Sequence, residues 1–243
     1  MVNTIIERLI EGLFPSYCDS CGQHSDNLSP LCSACEADLQ RNNACCSRCA
    51  APLAPGVPSR AVCGQCLQHP PPWDAVVVPW IYDEQLAHLI HRWKYRGDIK
   101  LTALLARLWL QQVQLPTTPS IDVIVPVPLH WRKMMYRGFN QSDLLCRQLH
   151  RQSMALSSVK INSKLLRRHR ATTAQSGNTA RQRAGNLRAA FTALLPCDNL
   201  RIAVVDDVLT TGATAAAVCG VLREAGAQHI ELWCLARTPP PGS

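Results

Sequence analysis

The chain has no apolar run approaching the ~18 residues that cross a bilayer, so no membrane span is expected among its 243 residues. The opening stretch MVNTIIERLIEGLF has a helical apolar pattern (Ile5, Ile6, Leu9, Ile10, Leu13), and residues 1–17 are read as an N-terminal helical segment. Glu7, Arg8 and Glu11 interrupt that pattern and no small-residue cleavage site follows, so the reading is a cytoplasmic chain without a secretory leader. Two common nucleotide loops are also missing. No lysine stands near the Thr/Gly-rich turn at 210–214 as a Walker A loop requires, and no G-x-G-x-x-G fingerprint occurs. Acids are scarce in one quarter of the chain. Residues 131–190 carry thirteen Lys/Arg against Asp143 alone, while the remainder is net acidic, with 12 basic and 16 acidic residues. Such a block of positive charge calls for an anionic partner: phosphate, pyrophosphate or nucleic acid.

Cysteine, in contrast, is plentiful and unevenly placed. Nine of the 13 cysteines lie between Cys18 and Cys66. Eight of them form four Cys-x-x-Cys knuckles: Cys18/Cys21, Cys32/Cys35, Cys46/Cys49 and Cys63/Cys66. A knuckle presents two thiolates to one tetrahedral Zn²⁺, and a second knuckle closes the site. Four knuckles therefore predict a double zinc ribbon over 18–68 with two structural zinc ions. Zinc would supply folding free energy to a stretch poor in large apolar residues. A disulfide-stapled module is the competing reading, disfavoured by the absence of an export signal. Cys45 has the wrong spacing and is left out, and Cys146, Cys197, Cys219 and Cys234 are expected to pack as small hydrophobes. With two zinc ions on eight thiolates, the formal charge of +8 falls to about +4. QHPPPW at 68–73 reads as a stiff connector into the second part of the chain.

From 74 to 238 short apolar runs alternate with amphipathic stretches. Strands are expected at 74–82, 121–129, 201–207 and 229–236, with helices over 83–95, 100–113, 140–152 and 212–225. That alternation predicts an α/β domain with a mainly parallel sheet and helices on both faces. Ligands of such sheets bind at the carboxyl ends of strands. There stands AVVDDVLTTGAT, 203–214, with two adjacent acids followed by a Thr/Gly turn and a helix. Backbone N–H groups of the turn, the Thr hydroxyls and the helix N-terminus suit a phosphate monoester. The acids cannot bind phosphate and suit hydroxyls, so a phosphorylated ribose fits both halves. An ordinary helix start is the bland alternative, weakened by the adjacency of the two acids.

VVDDVLTTGAT resembles the phosphoribosyl pyrophosphate (PRPP) motif of type I phosphoribosyltransferases. Together with the four knuckles, HRWKYRGD at 91–98, VPVPLHWRKMMYRGFNQ at 125–141 and RATTAQSGNTARQRAGNLRAAF at 170–191, it is similar over nearly the whole chain to the ComF/GntX family. Those are competence and DNA-utilisation proteins with a zinc ribbon on a phosphoribosyltransferase-like domain. The resemblance implies that Asp206 and Asp207 bind ribose and that Thr210, Thr211, Gly212, Ala213 and Thr214 bind the 5-phosphate. It places a pyrophosphate loop at Val127, Pro128 and Leu129, and a closing lid over 167–188 with Arg170, Arg181 and Arg183. A solvated helix face is the alternative for those arginines. The implied chemistry is displacement at the anomeric carbon of PRPP, with Mg²⁺ on the departing diphosphate. No cysteine is placed as a glutaminase nucleophile, so the ammonia-generating half of an amidotransferase is missing. The implied partners are PRPP, single-stranded DNA and competence-machinery proteins. A different class of function is a non-catalytic nucleic-acid adaptor whose PRPP site is vestigial or regulatory. Trp93/Tyr95 and Trp131/Tyr136, aromatics beside basic residues, would then stack on bases. A purine-salvage enzyme is the third reading and leaves the zinc module unexplained.

Overall fold

A computed structural model describes residues 17–25, 30–117, 120–169 and 187–240. Its centre is a six-stranded parallel sheet. β7 (Arg201–Leu209) and β8 (His229–Arg237) are the long central strands. β3 (Val123–Pro126) and then β4 (Lys160–Ile161) extend the sheet beyond β7, while β1 (Ala75–Val77) and β2 (Trp80–Ile81) both pair with β8. A two-stranded antiparallel ribbon, β5 (Leu166–Arg168) with β6 (Phe191–Ala193), lies off this sheet.

The period of two decides which side chain faces which layer. Ala203 and Val205 of β7 and Trp233 and Leu235 of β8 pack into one core. That core contains α3 (Glu84–Tyr95), α4 (Leu101–Gln112) and α6 (Gln141–Gln152). Ile202, Val204, Ile230, Leu232 and Cys234 face the other core, with α7 (Ala213–Glu224). Helices therefore cover both faces, as the alternation predicts. Trp93 and Trp109 are buried in the first core, each with its indole N–H satisfied: Trp93 Nε1 donates to Thr102 Oγ1 (2.9 Å) and Trp109 Nε1 to the Cys234 carbonyl (3.0 Å). The four late cysteines are all buried, as expected of small hydrophobes.

Three sequence readings need correction. The strand over 74–82 breaks at Val78–Pro79, because Pro79 has no N–H for the ladder and its carbonyl accepts from Asn42 N (2.8 Å). A short helix, α5 (Trp131–Arg137), occupies the stretch between the expected strand over 121–129 and α6, where no element is expected. It starts at His130, whose Nδ1 accepts from Arg132 N (3.3 Å), and ends on Gly138 in the left-handed region, φ +79°. Trp93 is buried and cannot stack on a base, whereas Tyr95, Trp131 and Tyr136 are exposed.

The Cys-rich segment carries α1 (Ser33–Ala37) and α2 (Gly64–Gln68), one within each half. It shares its packing with the sheet layers. Leu31, Leu39, Cys18 and Cys35 belong to the first core, and Ala50 to the second. Arg92 of α3 donates to both the Asp19 carboxylate (2.9 Å) and Asp98, tying the first ribbon to the helix layer. Among the described residues no helix is long and apolar enough to cross a membrane. Residues 1–16, which hold most of the N-terminal helical reading, lie outside the described residues.

Candidate ligand site and metal clusters

Two tetrads of thiols form, each from consecutive knuckles. Cys18, Cys21, Cys32 and Cys35 have their sulfurs within 4.8 Å of one another, and so do Cys46, Cys49, Cys63 and Cys66. Four sulfurs at ~2.3 Å from a tetrahedral Zn²⁺ stand ~3.8 Å apart. Cys21 and Cys32 Sγ are 3.8 Å apart, and Cys49 and Cys63 Sγ 3.7 Å. Backbone N–H groups converge on the sulfurs, from Ser20 to Cys18 (3.4 Å), Cys35 to Cys32 (3.5 Å), and Arg48 and Cys63 to Cys46 (3.4 and 3.3 Å). Such bonds favour thiolates. Burial opposes ionisation of Cys18, yet the N–H groups of Cys21, Cys32 and Ser20 bring it down to about 6. The donor set fits two zinc ions. Cys45 belongs to neither tetrad.

The acids stand where β7 outruns the core. The β7–β8 ladder pairs Asp206 with Cys234 and Val208 with Ala236. Between them the Asp207 N–H donates to Asp206 Oδ1 (2.9 Å), and the Val208 N–H donates to Asp207 Oδ1 (2.6 Å). Ser142 Oγ, in the first turn of α6, also donates to Asp206 Oδ1 (3.2 Å). Lys94 Nζ, in the last turn of α3, is 2.8 Å from Asp207 Oδ1. Among the described residues these bonds all fall on the Oδ1 atoms, leaving both Oδ2 atoms to accept from a ligand. Burial, followed by repulsion from Asp207, pushes the Asp206 carboxyl up to about 7.

Cations crowd the same place. Burial lowers Lys133, with Arg168, Arg137 and Lys94 adding repulsion and Asp207 opposing it. Arg168 is lowered by burial and held up by Asp206. Arg137 stacks over Tyr95, 4.7 Å from the ring centroid. Lys94, Lys133, Arg137 and Arg168 thus gather beside Asp206 and Asp207. Gln141 is fully buried with neither amide atom partnered, one residue from Ser142.

The turn after β7 exposes Thr210 and Thr211 and leads through Gly212 into Ala213 and Thr214 at the start of α7. Gly212 has φ +77°, and a Cβ there would meet Trp73 at an ordinary 3.5 Å, so backbone conformation and not space calls for glycine. The turn's carbonyls are held from behind by Arg237, the last residue of β8. Its Nη1 donates to the carbonyls of Leu209 (2.8 Å), Thr210 and Thr238 (2.9 Å). Nothing in the local sequence around Arg237 announces that role. Val127 is buried and Pro128 and Leu129 are half-buried at the end of β3. Asn140 caps α6 and also donates from Nδ2 to the Val127 carbonyl (3.1 Å), fixing this second turn. Arg170, Arg181 and Arg183 lie outside the described residues.

Acids at a strand end, a helix-opening Thr/Gly turn and two thiol tetrads mark a parallel α/β domain joined to a double zinc ribbon. The family model of the double zinc ribbon domain matches residues 9–67. The DNA utilization protein YhgH of Salmonella typhimurium is 41% identical over 219 residues, covering 86% of this chain and 90% of that protein. Competence protein F of Haemophilus influenzae is 34% identical over 219 residues, covering 85% and 90%. The chain belongs to this ComF/GntX family of competence and DNA-utilisation proteins. A shorter match, 55% identical over 42 residues, joins 17% of the chain to 23% of an adenine phosphoribosyltransferase of Kineococcus radiotolerans. Among solved structures, a glutamine PRPP amidotransferase from B. subtilis overlaps 56% of this chain and 25% of its own at 19% identity and a TM-score of 0.35. The sheet order above, and not that overlap, carries the fold.

Proposed function

We propose that the chain is a PRPP-binding, phosphoribosyltransferase-like protein that handles single-stranded DNA. The observation that carries this reading is the pair of free Oδ2 atoms on Asp206 and Asp207, set between a left-handed Gly212 turn and four cations. Ribose hydroxyls donate to the two Oδ2 atoms. The 5-phosphate takes N–H groups and hydroxyls of Thr210, Thr211, Gly212, Ala213 and Thr214 at the start of a 12-residue helix. The diphosphate faces Lys94, Lys133 and Arg168, whose mutual repulsion it relieves. The chemistry of such a site is displacement at the anomeric carbon. An acceptor nucleophile forms the new bond to C1, the C1–O bond to diphosphate breaks, and pyrophosphate leaves with the electron pair. The acids hold the sugar in place. Among the described residues no third carboxylate joins them. With Lys94 already on one, that donor set fits magnesium carried in on the diphosphate, where it supplies positive charge to the leaving group.

A nucleic-acid surface has its own support. α5 buries none of its residues. It exposes Trp131, Met135 and Tyr136 beside Arg132, Lys133 and Arg137, next to the PRPP site. Aromatic faces set in positive charge suit unpaired bases on a phosphate backbone. The names of the relatives, DNA utilization protein and competence protein, agree with that use.

The deciding experiment is calorimetric titration of PRPP with Mg²⁺ into zinc-loaded protein and into Asp206→Asn/Asp207→Asn. Micromolar binding that disappears in the double variant, with two zinc ions per chain retained, is the expected result. Absence of binding up to millimolar PRPP, or equal affinity in both proteins, overturns the assignment.

A further inference from the structure

The second thiol tetrad lies against the Thr/Gly turn through two side chains. Arg237 holds the Leu209, Thr210 and Thr238 carbonyls with Nη1, and its Nε donates to the carbonyl of Cys49 (3.0 Å), a member of that tetrad. Trp73 donates from Nε1 to the carbonyl of Arg48 (2.7 Å), one residue earlier in the same knuckle. The Trp73 ring edge lies 3.5 Å from the Cβ position of Gly212. Both connections begin on the knuckle Cys46–Cys49 and end on the turn. Arg237 is 9% exposed, and among the described residues its partners are all carbonyls, with no carboxylate paired to it. A buried guanidinium without a counter-anion is costly, and it biases the adjacent turn toward an anion. Among the described residues the first tetrad has no such route. Its contacts run to α3, through Arg92 to Asp19 and through Gln85 Nε2 to the Cys35 carbonyl (3.0 Å).

We infer that the second zinc ribbon is a working part of the phosphate turn: metal in the Cys46/Cys49/Cys63/Cys66 tetrad fixes the Arg48 and Cys49 carbonyls, these fix Trp73 and Arg237, and Arg237 and Trp73 fix residues 209–212. Arg237 is a positioning residue acting through the turn. This rests on the turn being a phosphate site, as argued above. Because coupling free energies of 1–3 kcal/mol are common, emptying the second site should weaken phosphate-ester binding by roughly 5–150-fold, and the ligand should tighten zinc affinity there by the same factor. It also supplies a reason for the ribbon to be fused to this domain.

The test compares full-length, zinc-loaded wild type with Arg237→Met, Cys63→Ser and Cys21→Ser. Amide hydrogen exchange over 209–214 is followed in each, and ribose 5-phosphate is titrated in parallel. Faster exchange in the turn is expected in Arg237→Met, with both zinc ions retained, and in Cys63→Ser. Cys21→Ser should disturb 84–95 and leave the turn alone. Ribose 5-phosphate should slow zinc release to a chelator in wild type and fail to do so in Arg237→Met. Unchanged exchange over 209–214 in Arg237→Met overturns the inference, even if Cys63→Ser does not fold. Failure of ribose 5-phosphate to bind wild type would instead overturn the phosphate assignment, while the exchange measurement still decides the coupling.

Discussion

Asp206 is a carboxylate that the native fold discourages from ionising, and replacing it with asparagine exposes the cost. Burial, then the neighbouring Asp207, raises its carboxyl from an ordinary 3.8 to about 7. A displacement of about three units corresponds to roughly 4 kcal/mol as a ceiling. The sign follows from proton counts. Between about pH 4 and 7 the native state holds a proton that the unfolded chain has released, so stability falls as pH rises. Above pH 7 the penalty is complete and constant. Asparagine keeps an oxygen to accept from Ser142 Oγ and the Asp207 N–H and carries no charge. Asp206→Asn should therefore stabilise the protein by about 1–3 kcal/mol at pH 8 after relaxation of the site, and by about two-fifths of that at pH 5. Urea unfolding of both proteins at pH 5, 6.5 and 8 measures the gain. Acid-driven zinc loss cancels in the difference, since both chains carry the same tetrads. A gain that does not change with pH, or a variant less stable than wild type at pH 8, would refute the reasoning. Either result would mean that the native site already satisfies an ionised Asp206. The same variant should lose ribose binding, because an amide oxygen accepts from a hydroxyl more weakly than a carboxylate. Stability gained with binding lost marks a residue retained for function.

Gly212→Ala places a Cβ in ordinary van der Waals contact with Trp73 but at φ +77°, so it should cost about 1 kcal/mol in denaturant unfolding. Its effect on ribose 5-phosphate affinity by calorimetry should be larger, since relaxing φ turns the N–H groups away from the ligand; equal affinity would show that the turn does not bind phosphate. Trp131→Ala and Tyr136→Ala remove exposed rings and should change stability by no more than about 0.5 kcal/mol. Each should weaken binding of a labelled single-stranded oligonucleotide by about 1–3 kcal/mol without altering the salt slope, read by fluorescence anisotropy at several ionic strengths. Unchanged affinity would remove α5 from the nucleic-acid surface.

The elements legible in sequence were those written in local chemistry. Period-two burial in β7 and β8 follows from Ile202, Val204, Ile230 and Leu232 on one face and Ala203, Val205, Trp233 and Leu235 on the other. Asp83 and Asn140, each accepting from a backbone N–H in the first turn, mark the starts of α3 and α6 where the polar residue precedes the apolar pattern. Cys-x-x-Cys spacing predicts tetrads but not which knuckles combine, which depends on the chain path. What escaped the sequence depends on distance along the chain. Lys94 meets the strand residue Asp207 from a helix 113 residues away in numbering, and Arg237 reaches Cys49 across 188. Neither partner is visible from a window of neighbours. α5 was missed because seven residues with no buried position give no periodic signal.

One physical thread connects these long-range residues. Asp206 resists ionisation, partial desolvation and the neighbouring Arg168, Arg137 and Lys94 lower Lys133, burial lowers Arg168, and among the described residues Arg237 is buried against carbonyls. Each is unfavourable in an empty fold, and all four lie at or behind the carboxyl ends of the strands. An anionic sugar phosphate would address them together. Its hydroxyls would donate to the acids, its diphosphate would neutralise the lysine and arginine, and its monoester would meet the turn that Arg237 backs. On the reading proposed above, one composite ligand would answer all of these charges, and the zinc ribbon would hold the frame in which its phosphate end is received.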